Sequence, residues 1–268
     1  MIIPVEDCLS VILEQVMDNH RSIALAVDMK EQPWIDGTKF ISDGKVIEYD
    51  GYKQECYSPI KKSGSSIKIG TLTKMDSKTV LHMLNNARTA WSHGLGQWPH
   101  RTSTDRLSIM KRLIESLRRK REEIIRVIMW DICKSFKNAS DEYDLTLNFM
   151  EALVSEYCNK LHQQQEWSSA ISGGGGGVDG CARMPTRTNH SAVGIVLCFA
   201  SNKHPLYETY KTLIPALLMG NVAIVKLPCQ GGNVTICLIC LPSHFVSYPY
   251  HDYTHCPVHH KVWYICSH

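Results

Sequence analysis

Short apolar runs separated by turn residues give way along the chain to apolar positions with a helical period. Between Trp34 and Ile69 the runs are interrupted by Asp-Gly pairs at 36–37, 43–44 and 50–51. Such pairs are typical of tight turns because glycine tolerates a positive φ. We therefore predict several short strands joined by three turns in this region.

Three helices are predicted downstream, where apolar residues recur every three to four positions. They cover residues 77–92, 104–128 and 140–161. A short polar side chain before a helix caps its free N–H groups, so we expect Asp76 or Ser77 to cap the first helix. By the same rule we expect Ser103 or Thr104 to cap the second.

A strand–helix–strand pattern follows in the second half of the chain. Residues 192–200 form a continuous apolar run, which predicts a strand buried on both faces. A helix over 206–219 ends at Gly220, and a second buried strand over 222–225 ends at Lys226. Two strands joined by a helix within about 35 residues predict a right-handed βαβ unit with parallel strands.

Polar residues follow both strands of this unit, at 201–205 and 226–230. Ligands bind beyond the carboxyl ends of parallel strands, so we expect a nucleotide to lie across these two segments. The glycine fingerprint Gly-x-Gly-x-x-Gly is absent from the first turn. An ordinary dinucleotide fold is therefore a poor match.

Residues 193–232 combine a glycine-led strand, a turn closed by proline, a helix containing Pro-Ala-Leu before Gly-Asn, and a strand ending in Lys-Leu-Pro. This combination resembles the aldehyde dehydrogenase superfamily. Around 208–210 and 226–228 the sequence is most similar to the NADP-dependent, non-phosphorylating glyceraldehyde-3-phosphate dehydrogenases. Similar upstream segments are residues 57–60, 94–99 and 120–135. The resemblance covers residues 34–232.

The fold that the resemblance implies is a partial aldehyde-dehydrogenase-like cofactor-binding domain of the α/β class. N-terminal β-hairpins and helices lead into the start of a parallel, Rossmann-like sheet. We expect this domain over 34–232, after an extension over 1–33, with the glycine run 173–177 as a flexible linker.

The segment 233–268 has a different composition, with six of the 13 histidines and a single acidic residue. We interpret it as a divergent, disordered tail produced by a frame change, intron read-through or truncation. It contains a zinc-like set, Cys237, Cys240, Cys256, His259 and His260. Because the first two lie in an apolar run without knuckle spacing, we predict no metal site.

The resemblance assigns five positions to a nicotinamide cofactor, NADP or NAD. Lys226 matches the family lysine that hydrogen-bonds the adenosine ribose or its 2′-phosphate; the alternative is a solvated lysine at a strand end. Cys229 stands where NAD-preferring members carry a glutamate, and its neutral side chain favours NADP. Phe199, Ala200 and Ser201 would line the cofactor cleft.

The resemblance places Lys203 where the family carries the asparagine that donates to the oxyanion. Asn202 would supply an amide only after a one-residue slip, which Pro205 opposes. The Gly-Gln-x-Cys setting of the family nucleophile and the segment with its glutamate base have no counterpart here. We interpret Cys198 and Cys229 as packing or rim residues, and we expect this chain not to turn over.

Two functions follow from these expectations. The first, by resemblance, is an oxidoreductase that acts on glyceraldehyde-3-phosphate or a related aldehyde with NAD(P) as acceptor. The second is a non-catalytic fragment or dead subunit that acts through protein–protein association. The resemblance also implies a homo-oligomer, built in the family by strands near residues 183–189.

Composition narrows the partners of this 268-residue chain. A net charge of +3 is too small to indicate nucleic-acid binding. The basic run at 118–121 lies on a predicted helix and is followed by Glu122 and Glu123, so we interpret it as a solvent-exposed helix face. No run approaches the roughly 18 apolar residues of a membrane span. Acidic residues interrupt the N-terminal apolar run, so we predict that it is not a secretory signal. We therefore expect the 11 cysteines to be free thiols in a reducing compartment. We therefore predict a cytoplasmic protein.

Overall fold

The computed structural model describes residues 35–37, 39–42, 45–62, 64–172, 191–228, 231–232 and 262–265. The strands are β1 (Ile35–Gly37), β2 (Lys39–Ser42), β3 (Lys45–Glu48), β4 (Lys53–Lys62), β5 (Ser65–Thr73), β6 (Ile195–Phe199), β7 (Val222–Lys226) and β8 (Val262–Ile265). The helices are α1 (Ser77–Trp91), α2 (Ser103–Arg119), α3 (Arg121–Ile132), α4 (Phe136–Ser172) and α5 (Pro205–Leu218). This order confirms the α/β class.

The predicted N-terminal strands form two small sheets. β4 and β5 are antiparallel, β1 lies parallel to β5, and β2 pairs with β3 as a hairpin. The Asp-Gly pair at 50–51 lies in the connection between β3 and β4, where the chain bends at Gly51 but Gly51 does not adopt a positive φ. The pair at 43–44 lies outside the described residues. The turn predicted at 36–37 is wrong, because Asp36 and Gly37 pair with Thr71 and Leu72 of β5.

The first predicted helix is confirmed, and its cap is Asp76, whose Oδ1 accepts from the Thr79 N–H at 2.9 Å. The single helix predicted over 104–128 is wrong, because α2 and α3 are separated at Lys120. This residue has φ −104° and ψ 14°, and its N–H donates to the carbonyl of Leu117 at 3.0 Å. The apolar period continues across the break, so periodicity alone does not reveal it.

The second helix begins one residue earlier than the predicted caps allow. The cap of α2 is Thr102, whose hydroxyl accepts from the Asp105 N–H at 3.1 Å. The predictions of Ser103 and Thr104 are therefore wrong. The helix predicted over 140–161 lies inside the longer α4, which packs against α2, α3 and α5.

The predicted βαβ unit is confirmed. β6 and β7 are parallel, with Ile195 opposite Val222 and Phe199 opposite Lys226, and α5 connects them. β8 lies on the other side of β7, so the strand order is β6-β7-β8. The assignments of 1–33, 34–232 and 233–268 to separate units remain predictions. The glycine run at 173–177 lies outside the described residues.

The expectation that the first strand of this unit is buried on both faces is wrong. Cys198 is buried in the main core beside α5, but Leu197 and Phe199 are 48% and 60% exposed. β6 lies at one end of the strand order. On the open face the small core between α1 and the sheet includes only the first residue of β6, Ile195. The end of β6 therefore presents apolar side chains to solvent.

The main core joins the βαβ unit to the helices that precede it. Its largest fully buried side chains include Tyr210 of α5, Ile124 of α3 and Met150 of α4. The helical layer therefore forms the support on which α5, and with it the ends of β6 and β7, are held. Within the described residues, no helix has the length and apolar character of a membrane span.

Candidate functional site

The carboxyl ends of β6 and β7 lie side by side. Phe199 is the register partner of Lys226, and the Ala200 N–H donates to the Lys226 carbonyl at 3.1 Å. The ladder therefore continues one residue past β6 before the chain turns away. This confirms the expectation that the segments following the two strands begin next to each other.

Lys226 ends β7 with a partly buried side chain. Its Nζ lies 3.5 Å from the carbonyl oxygen of Leu227, and within the described parts of the chain no carboxylate forms an ion pair with it. Leu227 and Pro228 are buried and fix the end of the strand. The backbone at the end of β7 is therefore held by buried residues, and no described acidic side chain pairs with the Lys226 ammonium.

Phe199 lies next to this cation on the same face of the sheet, because register partners on parallel strands project to the same side. More than half of its side chain is exposed, as is nearly half of that of Leu197, two residues earlier. An exposed aromatic ring beside a lysine offers an apolar surface for a planar ring and a charge for an anion.

The turn after β6 carries the other predicted site residues. The half-buried Ser201 accepts from the Lys203 N–H through its hydroxyl at 3.2 Å, which closes a local turn. The side chain of Lys203 is exposed. Asn202 is exposed as well, and Pro205 begins α5. The structure thus brings Phe199 and Lys226 together, and places Ser201 and Lys203 in the adjoining turn.

Sequence reasoning missed one buried group at this site, Glu142 of α4. Its Oε1 accepts from the N–H groups of Leu206 and Tyr207 at 3.0 and 3.4 Å, and so caps the first turn of α5. Its Oε2 pairs with Lys134 Nζ at 2.5 Å. A sequence signal exists, because Glu142 falls at helical spacing among the buried residues Ala139, Tyr143, Thr146 and Met150.

The described cysteines provide no reactive thiol at this edge. Cys198 is buried, and burial raises the pKa of its thiol. This agrees with its interpretation as a packing residue. Cys229 and the zinc-like set at 237–260 lie outside the described residues. Among the residues that are described, no group of three or more His, Cys, Asp or Glu side chains is arranged to hold a metal ion.

The basic run at 118–121 lies at the junction of α2 and α3, and its ends are engaged by acidic residues. Arg118 pairs with Glu151 at 2.6 Å, and Arg121 pairs with Asp144 at 3.1 Å. Both acids belong to α4. These two arginines therefore form ion pairs between neighbouring helices, which agrees with the interpretation of the run as a solvent-exposed helix face.

Comparison with known proteins decides the family. The model of the aldehyde dehydrogenase family matches residues 48–242. The chain belongs to the aldehyde dehydrogenase family. The match begins later than the predicted start at residue 34 and continues past the predicted end at 232, into the segment interpreted as unrelated tail.

Solved structures of aldehyde dehydrogenases share the fold at low identity. An NAD-dependent aldehyde dehydrogenase from Sinorhizobium meliloti has a TM-score of 0.65 at 14% identity, over 90% of this chain and 43% of its own. An NADP-dependent glyceraldehyde-3-phosphate dehydrogenase from Bacillus halodurans, complexed with NADP, has a TM-score of 0.62 at 17% sequence identity, and the match covers 87% of this chain and 44% of that protein. An NAD-dependent benzaldehyde dehydrogenase from Corynebacterium glutamicum has a TM-score of 0.60 at 16% sequence identity, and the match covers 87% of this chain and 45% of that protein. This chain therefore spans less than half the length of these relatives.

Proposed function

We propose that this chain supplies part of the nicotinamide nucleotide site of an aldehyde dehydrogenase, with the ends of β6 and β7 as the seat of the adenosine moiety. The observation that supports this best is the pairing of Phe199 with Lys226. An exposed aromatic side chain and a lysine without a described acidic partner lie in register on adjacent parallel strands.

The residues at this edge suit the chemistry of the nucleotide. The ammonium of Lys226 would bind ribose hydroxyls or a 2′-phosphate, and Phe199, Ala200 and Ser201 would line the cleft. These residues would hold a nicotinamide nucleotide, which would supply the hydride acceptor for oxidation of an aldehyde. The chain's own residues would contribute binding and orientation, because a cation and an aromatic ring on adjacent, hydrogen-bonded strands restrict how the nucleotide lies.

We propose NADP rather than NAD as the preferred nucleotide. Cys229 stands where the NAD-preferring members of the family carry a glutamate, and a neutral side chain there does not repel a 2′-phosphate. Cys229→Glu should therefore weaken NADP binding more than NAD binding, and isothermal titration with both nucleotides measures the two dissociation constants. Equal effects on both nucleotides would contradict this preference.

We further propose glyceraldehyde-3-phosphate or a related aldehyde as the substrate of the complete enzyme. Lys203 occupies the position of the family's oxyanion donor. A flexible ammonium there would replace a fixed amide donor, so the geometry of carbonyl polarisation would be looser. The segments that carry the family nucleophile and base have no counterpart in these 268 residues, so we expect binding without turnover from this chain.

Nucleotide titration of the 268-residue chain tests the site. Lys226→Met should weaken NADP binding about tenfold, as expected for the loss of a charge-assisted hydrogen bond to a phosphate or hydroxyl. Lys111→Met is the matched control, because Lys111 is an exposed lysine on α2, away from the edge. Failure of the unsubstituted chain to bind NADP, or equal binding by both variants, would overturn the proposal.

A second candidate function is association with another copy of the chain through the open end of β6. This association is favoured by the exposed side chains of Leu197 and Phe199 on β6, which is an edge strand of the sheet. Leu197→Lys should then shift the sedimentation of the protein from a dimer to a monomer. A chain that sediments as a monomer before any substitution would exclude this candidate.

A further inference from the structure

Glu142 is a buried acid that the proposed nucleotide contacts do not use. Only 1% of its side chain is exposed, and it lies on α4, a helix that carries none of the proposed nucleotide contacts. Burying a carboxylate is costly unless it is paired and hydrogen-bonded. Its four described polar contacts are the N–H groups of Leu206 and Tyr207, the ammonium of Lys134 and the ring of His204.

Two of these contacts fix the beginning of α5. The free N–H groups of the first helical turn carry a partial positive charge, and in ordinary dinucleotide folds they bind a phosphate. Here the Glu142 carboxylate already accepts from two of them. The start of α5 is therefore occupied by an acid of the chain itself, which leaves the lysines at the strand ends as the cations for an anionic ligand.

The other two contacts connect Glu142 to the turn that follows β6. Lys134 Nζ lies 2.5 Å from Glu142 Oε2 and 3.1 Å from His204 Nδ1, and the same carboxylate oxygen lies 3.8 Å from that ring nitrogen. Because an ammonium has no acceptor, Lys134 donates to Nδ1, which places the ring hydrogen of a neutral His204 on Nε2. His204 adjoins Lys203 in the chain.

We propose that Glu142 is a positioning residue for the turn over 201–204. Its carboxylate holds Lys134, Lys134 holds the ring of His204, and the same carboxylate holds the first turn of α5. The turn that carries Ser201 and Lys203 is thereby fixed at its far end to α4 and to Lys134, which precedes α4. The inference rests on the proposed function, since the turn borders the proposed nucleotide seat.

The test separates positioning from simple stabilisation of the fold. Glu142→Gln keeps an oxygen that accepts from the α5 N–H groups but loses the charge that holds Lys134. His204→Gln changes a side chain that is 42% exposed and leaves the buried pair intact, so it provides a variant that folds. Glu151→Gln is the control, because Glu151 also lies on α4 but forms its ion pair with Arg118 of α2.

Three measurements on the 268-residue chain are needed: thermal unfolding, the NADP dissociation constant, and the ring ¹⁵N shifts of His204 in histidine-labelled protein, assigned with His204→Gln. We expect Glu142→Gln to change the His204 shifts towards a mixture of tautomers. We also expect Glu142→Gln and His204→Gln each to weaken NADP binding about tenfold, as for one lost charge-assisted hydrogen bond. In the double variant the two losses should not add, because both break the same connection.

A melting temperature that falls while the His204 shifts and the NADP dissociation constant stay unchanged would overturn the proposal, since Glu142 would then only stabilise the fold. Additive losses in the double variant would also contradict it. Should the unsubstituted chain bind no NADP, the proposed function fails, and the His204 shifts alone decide whether Glu142 positions the turn. The two failures are therefore distinguishable.

Discussion

Asn221 connects the start of β6 to the end of α5, and replacing it by alanine removes this connection. Its Oδ1 accepts from the N–H groups of Val193 and Gly194 at 2.7 and 2.9 Å, and its Nδ2 donates to the Ala216 carbonyl at 3.0 Å. The residue is 4% exposed. The substitution Asn221→Ala therefore breaks three hydrogen bonds at once without inserting any bulk.

The cost follows from what each partner does afterwards. The Ala216 carbonyl keeps the bond from the Asn221 backbone N–H, and Val193 is 85% exposed, so its N–H gains water. The Gly194 N–H is left buried without a partner, which costs about 2 kcal/mol. With about 1 kcal/mol for the other two bonds together, the free energy of unfolding falls by about 3 kcal/mol. In a chain of this length, that lowers the melting temperature by about 7 °C.

Thermal unfolding followed by circular dichroism measures this loss, and urea unfolding gives the free energy independently. The control is Asn85→Ala on the exposed face of α1, which should change stability by no more than about 0.5 kcal/mol. A melting temperature of the Asn221 variant within about 2 °C of the original would contradict this prediction, because the three hydrogen bonds would then contribute nothing measurable.

Two further predictions concern buried polar groups. Arg106 donates to the carbonyls of Leu218 and Pro99 at 2.8 and 3.4 Å. Arg106→Met should therefore lower the free energy of unfolding, measured in urea, by about 4 kcal/mol, whereas Arg112→Met, at an exposed position, should lower it little. Equal losses in the two variants would contradict this prediction. Burial raises the pKa of Tyr143 to about 12, above its ordinary value of 10.0. The native state therefore keeps a proton that the unfolded chain releases, so the free energy of unfolding should fall between pH 10 and 12, and Tyr143→Phe should reduce that slope; an unchanged slope would refute it.

The βαβ unit could be predicted because each of its parts leaves a local signal. Apolar runs mark β6 and β7, and a helical period ending at Gly220 marks α5. Gly220 has φ +88°, a conformation that glycine adopts at little cost. Parallel pairing and the adjacent strand ends follow from the connectivity alone.

The errors arose where a residue's environment depends on distant parts of the chain. An apolar run shows that a strand is hydrophobic but not whether a second layer covers it, so the exposure of Leu197 and Phe199 was not predictable. Asp36 and Gly37 have the composition of a turn, but pairing with β5 draws them into a strand. Tertiary contacts override local preference in both cases.

Glu142 shows the same limit at the candidate site. The helical period places Glu142 on the buried side of α4, and a carboxylate is rarely found at such a position. Its partners on α5 lie 64 and 65 residues further along the chain. The sequence shows an acid where an apolar residue is expected, and only the fold shows that it caps a second helix.

Hydrogen–deuterium exchange of the 268-residue chain, with and without NADP, tests most directly whether the ends of β6 and β7 form one nucleotide seat. We predict that NADP slows exchange together in peptides covering residues 199–205 and 224–228, and that Lys226→Met reduces both effects at the same NADP concentration. Protection of only one segment, or protection confined to the N-terminal strands and helices, would contradict it.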